Sequence, residues 1–449
     1  MSTNNLKVDT LVVGGGIAGM QTALDLGDQG YQVALVEHKS SIGGKMIDLS
    51  KVFPTLDCCS CITTPKMSAT AHHDNINLMT YSEVESISRN GDNFTVEVLK
   101  KPRYVREDDC TGCRSCELVC PLEISDAEHE FGRTAHRVVY VPFSTAVPQK
   151  AVVDIDHCLF CGKCMQACPS DAIDFTQQPE HVEIEARSIV LATGYETTPL
   201  DAKKEYGAGN LRNVISGMMM ERLLAPTGPY GRVLRPSDGK MPASIAYVQC
   251  AGSRDQTLGV PYCSRVCCMY AIKQAMLLSG ALPLADITIY YIDIRAFGKG
   301  YEQFYQNAKA MGIEFMKGKV ARIREDENQN PTVRVELIDE YGQTRVTERQ
   351  HDLVVLSVGM LPSYNPQSMF GVPVGEDGFV HIPDYNVFPA VTSQEGIFVT
   401  GTAVGPMDIV DSIMMAGAAA SATAAYLESG NGHKSAEPQS QPERSDEYA

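Results

Sequence analysis

VDTLVVGGGIAGMQTALDLGDQGYQVALVEHK, residues 8–39, decides the fold of the first part of the chain. An apolar run from Leu11 to Val13 enters Gly14-x-Gly16-x-x-Gly19, and a second apolar run, Val33 to Val36, ends at Glu37. This order reads as strand, glycine turn, helix and strand, the dinucleotide-binding unit. Gly14 permits the tight turn, Gly16 lets backbone amides approach a pyrophosphate at the helix N-terminus, and Gly19 allows the helix to lie close on the strand. Glu37 is placed to bind an adenosine ribose hydroxyl. A lone glycine triplet is weak evidence, but here strand, turn, helix and terminal acid fall in order. Ala18 in the first helical turn and His38 beside the acid complete the candidate contacts.

The dinucleotide is better read as FAD than NAD, because the acid is followed by Gly43-Gly44-Lys45-Met46. That stretch resembles the second flavin contact of two-dinucleotide-fold flavoproteins. Far downstream, Ser188-IVLATG-Tyr195 reads as a buried strand ending in Ala192-Thr193-Gly194, and VVLSVGMLP around Gly359 looks like its counterpart. The segment Gly396-IFVTGTAVGP-Met407, with Gly401, Thr402 and Ala403 and then Ile409, resembles the closing strand and turn that contact the flavin. Four separated segments agree on an α/β, thioredoxin-reductase-like flavoprotein.

Between the first and second of these segments stands Cys110-TG-Cys113-RS-Cys116-ELV-Cys120-Pro121, and its spacing returns at Cys158-LF-Cys161-GK-Cys164-MQA-Cys168-Pro169. Three cysteines on a tight turn wrap one face of a four-iron cube, while the fourth, before proline, points to the other cube. One cluster therefore takes Cys110, Cys113, Cys116 and Cys168, and its partner takes Cys158, Cys161, Cys164 and Cys120. Two zinc sites or a disulfide set are the bland readings; zinc sites rarely repeat a three-cysteine run followed by Cys-Pro. An α+β two-cluster ferredoxin domain thus interrupts the FAD domain, as an insertion whose ends lie close together on a surface loop.

After the ATG strand a second nucleotide fold is outlined: Ser244-IAYVQ begins a strand, a helix around Ala271–Leu278 follows, and Asp286-ITIYYI-Asp293 forms another strand. The second glycine fingerprint, which an NAD(P)H site would need, is missing. Cys250-AGSR stands in its place, followed by Cys263-SRV-Cys267-Cys268. These four cysteines are ligands of a further cube, or else buried or redox thiols.

Taken together, the FAD fingerprint, the inserted cysteine runs, the Cys250/Cys263/Cys267/Cys268 pattern and the closing GTAVGPMDIVDSI segment resemble HdrA, the flavin-bearing component of heterodisulfide reductase. The resemblance covers almost everything before the last stretch. It implies a third 4Fe-4S cluster on the four cysteines and a flavin-proximal lysine, which Lys273 in MYAIKQA fits; an exposed helix lysine is the plain alternative. It implies work as an FAD and iron–sulfur electron-transfer component, with electron bifurcation, beside HdrB- and HdrC-like proteins and ferredoxin or another electron-input partner. It also implies a dimer within a larger assembly. A non-bifurcating, quinone-linked protein with a membrane partner belongs to the same wider group. A self-sufficient NAD(P)H oxidoreductase is disfavoured by the missing fingerprint. Against the family pattern the chain is expected to open directly at the FAD strand and to lack the cluster-bearing N-terminal domain and the C-terminal ferredoxin domain, which leaves partner contacts and the full electron path open.

Eight cysteines in the insertion and four in the second fold leave three of the fifteen, Cys58, Cys59 and Cys61 in FPTLDCCSCITTPKM. In the family, Cys61 resembles a residue that helps bind the N-terminal domain's cluster. A fourth, partner-completed cluster, redox thiols and a structural role all stay open for these three.

At 449 residues the chain is long enough for two or three domains. The expected division is 1–100 (FAD domain, first part), 101–180 (ferredoxin insertion), 181–240 (FAD domain, second part), 241–350 (second Rossmann-like domain with a 4Fe-4S site), 351–429 (FAD domain, final part) and 430–449 (disordered tail). A formal charge of −17 with no Lys/Arg-rich patch argues against a nucleic-acid partner. No signal segment is read at the start and no apolar run of membrane-spanning length, so the expectation is a soluble cytoplasmic protein, associated with a membrane through partners if at all. Cysteine-rich composition in such a chain suits metal and redox work better than disulfides.

Overall fold

The computed structural model describes residues 4–429; the expected tail, 430–449, lies outside the described residues. The strand Asn4–Val13 sits inside a parallel sheet, flanked by Val33–Glu37 on one side and Glu180–Leu191 on the other, with Ile76–Thr80 beyond Val33–Glu37. Successive residues serve opposite faces: Val12 and Leu35 join the core beneath the helices, and Leu11, Ala34 and Val36 join the core on the other side. Burial on both faces explains why these strands read as continuous apolar runs.

The strand Glu180–Leu191 changes neighbour along its length. Residues 180–186 pair antiparallel with Asn93–Lys100, which forms a hairpin with Ser82–Asn90, while residues 189–191 pair parallel with Ile397–Val399. Two helices, Ile17–Asp28 and Ile409–Glu428, cover one face. The second is the one helix among the described residues that is long and apolar enough to cross a membrane. Its Met415, Ala416, Ala419 and Ala420 are buried in the core, where small side chains let the two helices lie close.

Lys100 and Glu180 face each other across the sheet. The chain therefore leaves the FAD domain and returns to it at one point, which is how the intervening segment is accommodated without breaking the sheet. That segment has its own small core of Val105, Val138, Val139, Val141, Val153 and Ile173 around the cysteines. It carries two short helices, Ser115–Val119 and Lys163–Ala167, each entered through a left-handed residue, Arg114 (φ 60°) and Gly162 (φ 73°). It is also tied to the glycine loop of the FAD domain: the Arg103 guanidinium donates to the Ser40 carbonyl at 2.7 Å, and the Ile42 amide donates to the Val147 carbonyl at 3.1 Å.

The second sheet runs Val214–Ser216, Leu353–Leu356, Ser244–Val248, Asp286–Tyr291 and Glu314–Glu325 in parallel, and ends in the antiparallel strands Pro331–Ile338 and Thr344–Gln350. It takes strands from both sides of the expected 241–350 range. Val214–Ser216 and Leu353–Leu356 are therefore corrected from the FAD domain to this one: both are short apolar runs, and sequence alone does not tell which sheet such a run joins. The chain crosses between the two folds as an antiparallel pair, Tyr195–Thr197 with Met360–Pro362.

Candidate functional site

A cavity of about 570 Å³ lies where the two folds meet. Its first wall is the glycine turn. Gly14 is left-handed (φ 114°), and a Cβ there would come within 2.3 Å of the Ala192 carbonyl oxygen. A Cβ on Gly16 would meet nothing nearer than the Gly44 Cα at 4.0 Å, so its backbone stands open to the cavity. Gly16 caps the helix Ile17–Asp28 without any side-chain hydrogen bond, leaving the first-turn amides free for an anion.

Glu37 ends its strand buried, and its carboxylate accepts from the Gly15 amide at 2.6 Å and the Lys39 amide at 2.8 Å. Those bonds orient it while leaving lone pairs for hydroxyl donors. His38 is held above its ordinary pKa by its hydrogen bond to Glu37. Gly16, Ala18, Glu37, His38, Gly44, Lys45 and Met46 all line the cavity, together with Ala192, Thr193, Gly194, Gly359, Thr402 and Ile409. Gly19, Gly43, Gly401 and Ala403 lie behind that wall. A Cβ on Gly19 would fall 1.9 Å from the Gly14 carbonyl oxygen, and one on Gly401 would fall 2.6 Å from the Ala18 Cβ, so both serve close packing. The Thr400 hydroxyl, missed by sequence reasoning, is buried without a partner on this wall. An open glycine cradle, free amides, an oriented acid and an orphaned hydroxyl suit a dinucleotide with a polar ring system.

In the insertion, Cys120, Cys158, Cys161 and Cys164 line one small cavity, which is the crosswise set expected from the spacing. Of the other set, Cys116 is buried beside Cys110, and burial pushes its thiol up to about 12. The Cys168 sulfur accepts from the Ala172 amide at 3.2 Å, and Cys113 is exposed. Among the described residues no three His, Cys, Asp or Glu side chains converge on a point that would hold a single metal ion.

The second wall is built by the other strand-to-helix turn. Cys250 follows the strand Ser244–Val248 in a left-handed conformation (φ 58°), and Cys267 and Cys268 open the helix Cys267–Ala281. The thiols of Cys250, Cys267 and Cys268 are raised by burial and by the nearness of one another and of Cys263. Burial is the larger cause, and it pushes Cys268 up to about 12. Gly359 passes between this loop and the cavity, where a Cβ would stand 2.6 Å from the Ser264 hydroxyl. From the same helix Tyr270, Lys273 and Gln274 reach the cavity. Lys273 is only 2% exposed, so the exposed-lysine alternative is out. Its ammonium donates to the Lys51 carbonyl at 2.7 Å and pairs with Glu221, itself buried on the helix Gly217–Leu224. Glu221 also accepts from the Ser50 hydroxyl at 2.7 Å and from the Gln274 amide. The signal for Glu221 was a single acid inside GMMMERLL.

The three remaining cysteines have three different surroundings. Cys58 caps the helix Cys59–Ala71 with its sulfur accepting from the Cys61 amide at 3.3 Å. Cys59 is fully buried, its thiol pushed up to about 12 by burial, near the Lys273–Glu221 pair. Cys61 is exposed.

Fold and site together define a thioredoxin-reductase-like flavoprotein with a two-cluster ferredoxin insertion. A 4Fe-4S dicluster domain matches residues 109–172, and an NAD(P)-binding Rossmann-like domain matches residues 12–58. In fold the chain is similar to thioredoxin reductase from Lactococcus lactis (TM-score 0.52, 15% identity, 94% of this chain and 99% of that one). Thioredoxin reductase from T. acidophilum is similar too (TM-score 0.51, 15% identity, 95% and 99%). In sequence it is 43% identical over 431 residues to the HdrA component of the H(2):CoB-CoM heterodisulfide,ferredoxin reductase of Methanothermobacter thermautotrophicus, covering 94% of this chain and 65% of that protein. It is 45% identical over 428 residues to the iron-sulfur HdrA component of the CoB–CoM heterodisulfide reductase of Methanocaldococcus jannaschii, covering 94% and 64%. The chain is an HdrA-like iron–sulfur flavoprotein, and it spans just under two thirds of the length of these curated relatives.

Proposed function

We propose that this chain is an FAD and iron–sulfur electron-transfer component, bifurcating in its full setting, of a heterodisulfide-reductase-type complex. The observation that carries the reading is the cavity's second wall: a cysteine quartet and a buried lysine occupy the turn where a pyridine-nucleotide fold would present glycines. FAD exchanges electrons singly or in pairs and a 4Fe-4S cluster one at a time, so the pair makes a junction between the two kinds of chemistry.

The chain's own residues prepare that junction. Gly14 and Gly16 admit the pyrophosphate to the helix amides, Glu37 holds the ribose hydroxyls, and Lys273, with Glu221 as counter-ion, keeps a positive charge at the cavity wall where negative charge would develop. Three clusters are proposed: two on the crosswise sets of the insertion and one on Cys250, Cys263, Cys267 and Cys268. A fourth on Cys61 would need ligands from elsewhere. Leu118 (84% exposed), Leu159 (67%) and Phe160 (60%) stand beside the insertion's cysteines, which supports a protein partner of the HdrB/HdrC or ferredoxin kind at that rim.

Anaerobic purification followed by iron and flavin counting tests this. One FAD and about twelve iron atoms per chain are expected. Rapid reduction of the isolated protein by NADPH or NADH, or material without inorganic sulfide, would overturn the reading. A membrane haem partner co-purifying with it would favour the quinone-linked variant.

A further inference from the structure

The helix Cys267–Ala281 presents Cys267, Tyr270 and Lys273, each three residues on from the last, along one face. Cys267 belongs to the quartet, Lys273 to the cavity wall, and Tyr270 stands between them. The Tyr270 hydroxyl donates to the Val358 carbonyl at 2.9 Å, and the Cys267 sulfur lies 3.5 Å from the same oxygen. The hydroxyl and the sulfur thus converge on one carbonyl oxygen. Both Tyr270 and Val358 line the cavity. The ring packs on Gly217, where a Cβ would come within 2.7 Å of its Cε2.

The hydroxyl's own proton has two acceptors to serve. As the quartet stands here, the Cys267 thiol supplies a proton toward Val358; a metal-bound sulfur has none to give, and becomes an acceptor instead. Ser357, next to Val358, has a buried hydroxyl with no hydrogen-bond partner. Once the Cys267 sulfur is metal-bound, the Tyr270 proton, which here goes to Val358, has that sulfur as a second acceptor beside it.

We propose that Tyr270 is a positioning residue that couples the two centres: its hydroxyl bonds the Cys267 sulfur and raises the potential of that cluster, while its ring fills the space between that sulfur and the flavin cavity. A proton donated to a ligand sulfur stabilises the more negative, reduced cluster. The tyrosine is neither oxidised nor reduced and keeps its proton; only the direction of the hydrogen bond changes. The proposal rests on the reading of the quartet as cluster ligands and of the cavity as the FAD site.

The test uses the full chain purified anaerobically with its clusters and FAD, with the signal of this cluster assigned by its loss in Cys263→Ser. Tyr270→Phe keeps the ring and removes only the hydroxyl. It is expected to lower the midpoint potential of this one cluster by about fivefold in its one-electron equilibrium constant, or about 40 mV at 59 mV per tenfold. The insertion's clusters and the FAD content are expected to stay unchanged. It is also expected to remove an exchangeable-proton coupling from this cluster's electron-nuclear spectrum. Tyr270→Leu is expected to lower the potential likewise and to slow electron exchange between flavin and cluster on rapid mixing. A Tyr270→Phe protein with full iron and flavin but an unshifted potential and unchanged proton coupling overturns the proposal. Should Tyr270→Phe fail to assemble, 3-fluorotyrosine at position 270, whose hydroxyl is a stronger donor, must raise the potential, and no shift overturns it. A wild-type protein with only about eight irons would instead sink the underlying cluster reading, a distinguishable failure.

Discussion

The two strand-to-helix turns that border the cavity start from the same scaffold and end in different chemistry. In the first, Asn4–Val13 passes to the helix Ile17–Asp28 through three glycines, and the helix N-terminus is left bare. In the second, Ser244–Val248 reaches the helix Cys267–Ala281 through a far longer loop, and the helix begins with two buried cysteines. A bare N-terminus receives a phosphate because its amides point outward unsatisfied. On the proposed reading, filling the same position with thiols gives it to metal. The lesson is that a Rossmann-like scaffold fixes where a cofactor sits, while the turn's side chains choose which one.

The most damaging way to break the comparison is to put a side chain into the first turn. Gly19→Val places carbon atoms against the Gly14 carbonyl, and near-complete loss of bound flavin with retention of iron is expected, read from the absorbance of anaerobic protein. The reciprocal change, Cys267→Ser, should leave flavin bound while iron falls from about twelve to about eight atoms per chain.

A smaller effect tests the counter-ion beneath the second turn. Lys273 and Glu221 are both buried. Removing one charge strands the other, so Lys273→Met is expected to destabilise the protein by about 3–5 kcal/mol. The double variant with Glu221→Gln should recover much of that loss in thermal melts.

The smallest effects contrast two buried histidines. In the second fold, burial first and then nearby Arg349 depress His351 to about 4, between the Ser244 and Tyr290 hydroxyls. The folded state holds it neutral, so its stabilisation is complete above the ordinary histidine range of about 6.5 and is lost as pH falls from there toward about 4. His129 tethers the insertion to Asp48 of the FAD domain at 3.1 Å. Burial lowers its pKa, but the bond and charge of Asp48, with Glu128, outweigh burial and the opposing Lys39, so the net shift is upward. That tether is complete below the ordinary range and weakens as pH rises through the raised value. Melting curves should show His351→Gln flattening the acid limb and His129→Gln the alkaline one.

Much of the site was legible in single residues. The glycines announced themselves because only a residue without Cβ tolerates the approaches seen at Gly14 and Gly19. The cysteine runs were legible because cluster ligation depends on local spacing. Lys273 was found through resemblance, but its counter-ion Glu221 lies 52 residues away and carries no local mark. Tyr270 was overlooked because a tyrosine in an apolar helix reads as core; its meaning comes from Val358, on a strand connection far along the chain.

By itself the sequence determined the chemistry available: a dinucleotide turn, twelve cysteines in three sets, and the α/β periodicities that fold around them, since each depends on residues near one another in the chain. Only tertiary structure decided which of these face one cavity, that the insertion leaves and returns at Lys100 and Glu180, and that Val214–Ser216 and Leu353–Leu356 belong to the second sheet. Local spacing sets what a residue is able to bind, but strand pairing across hundreds of residues sets what it stands beside.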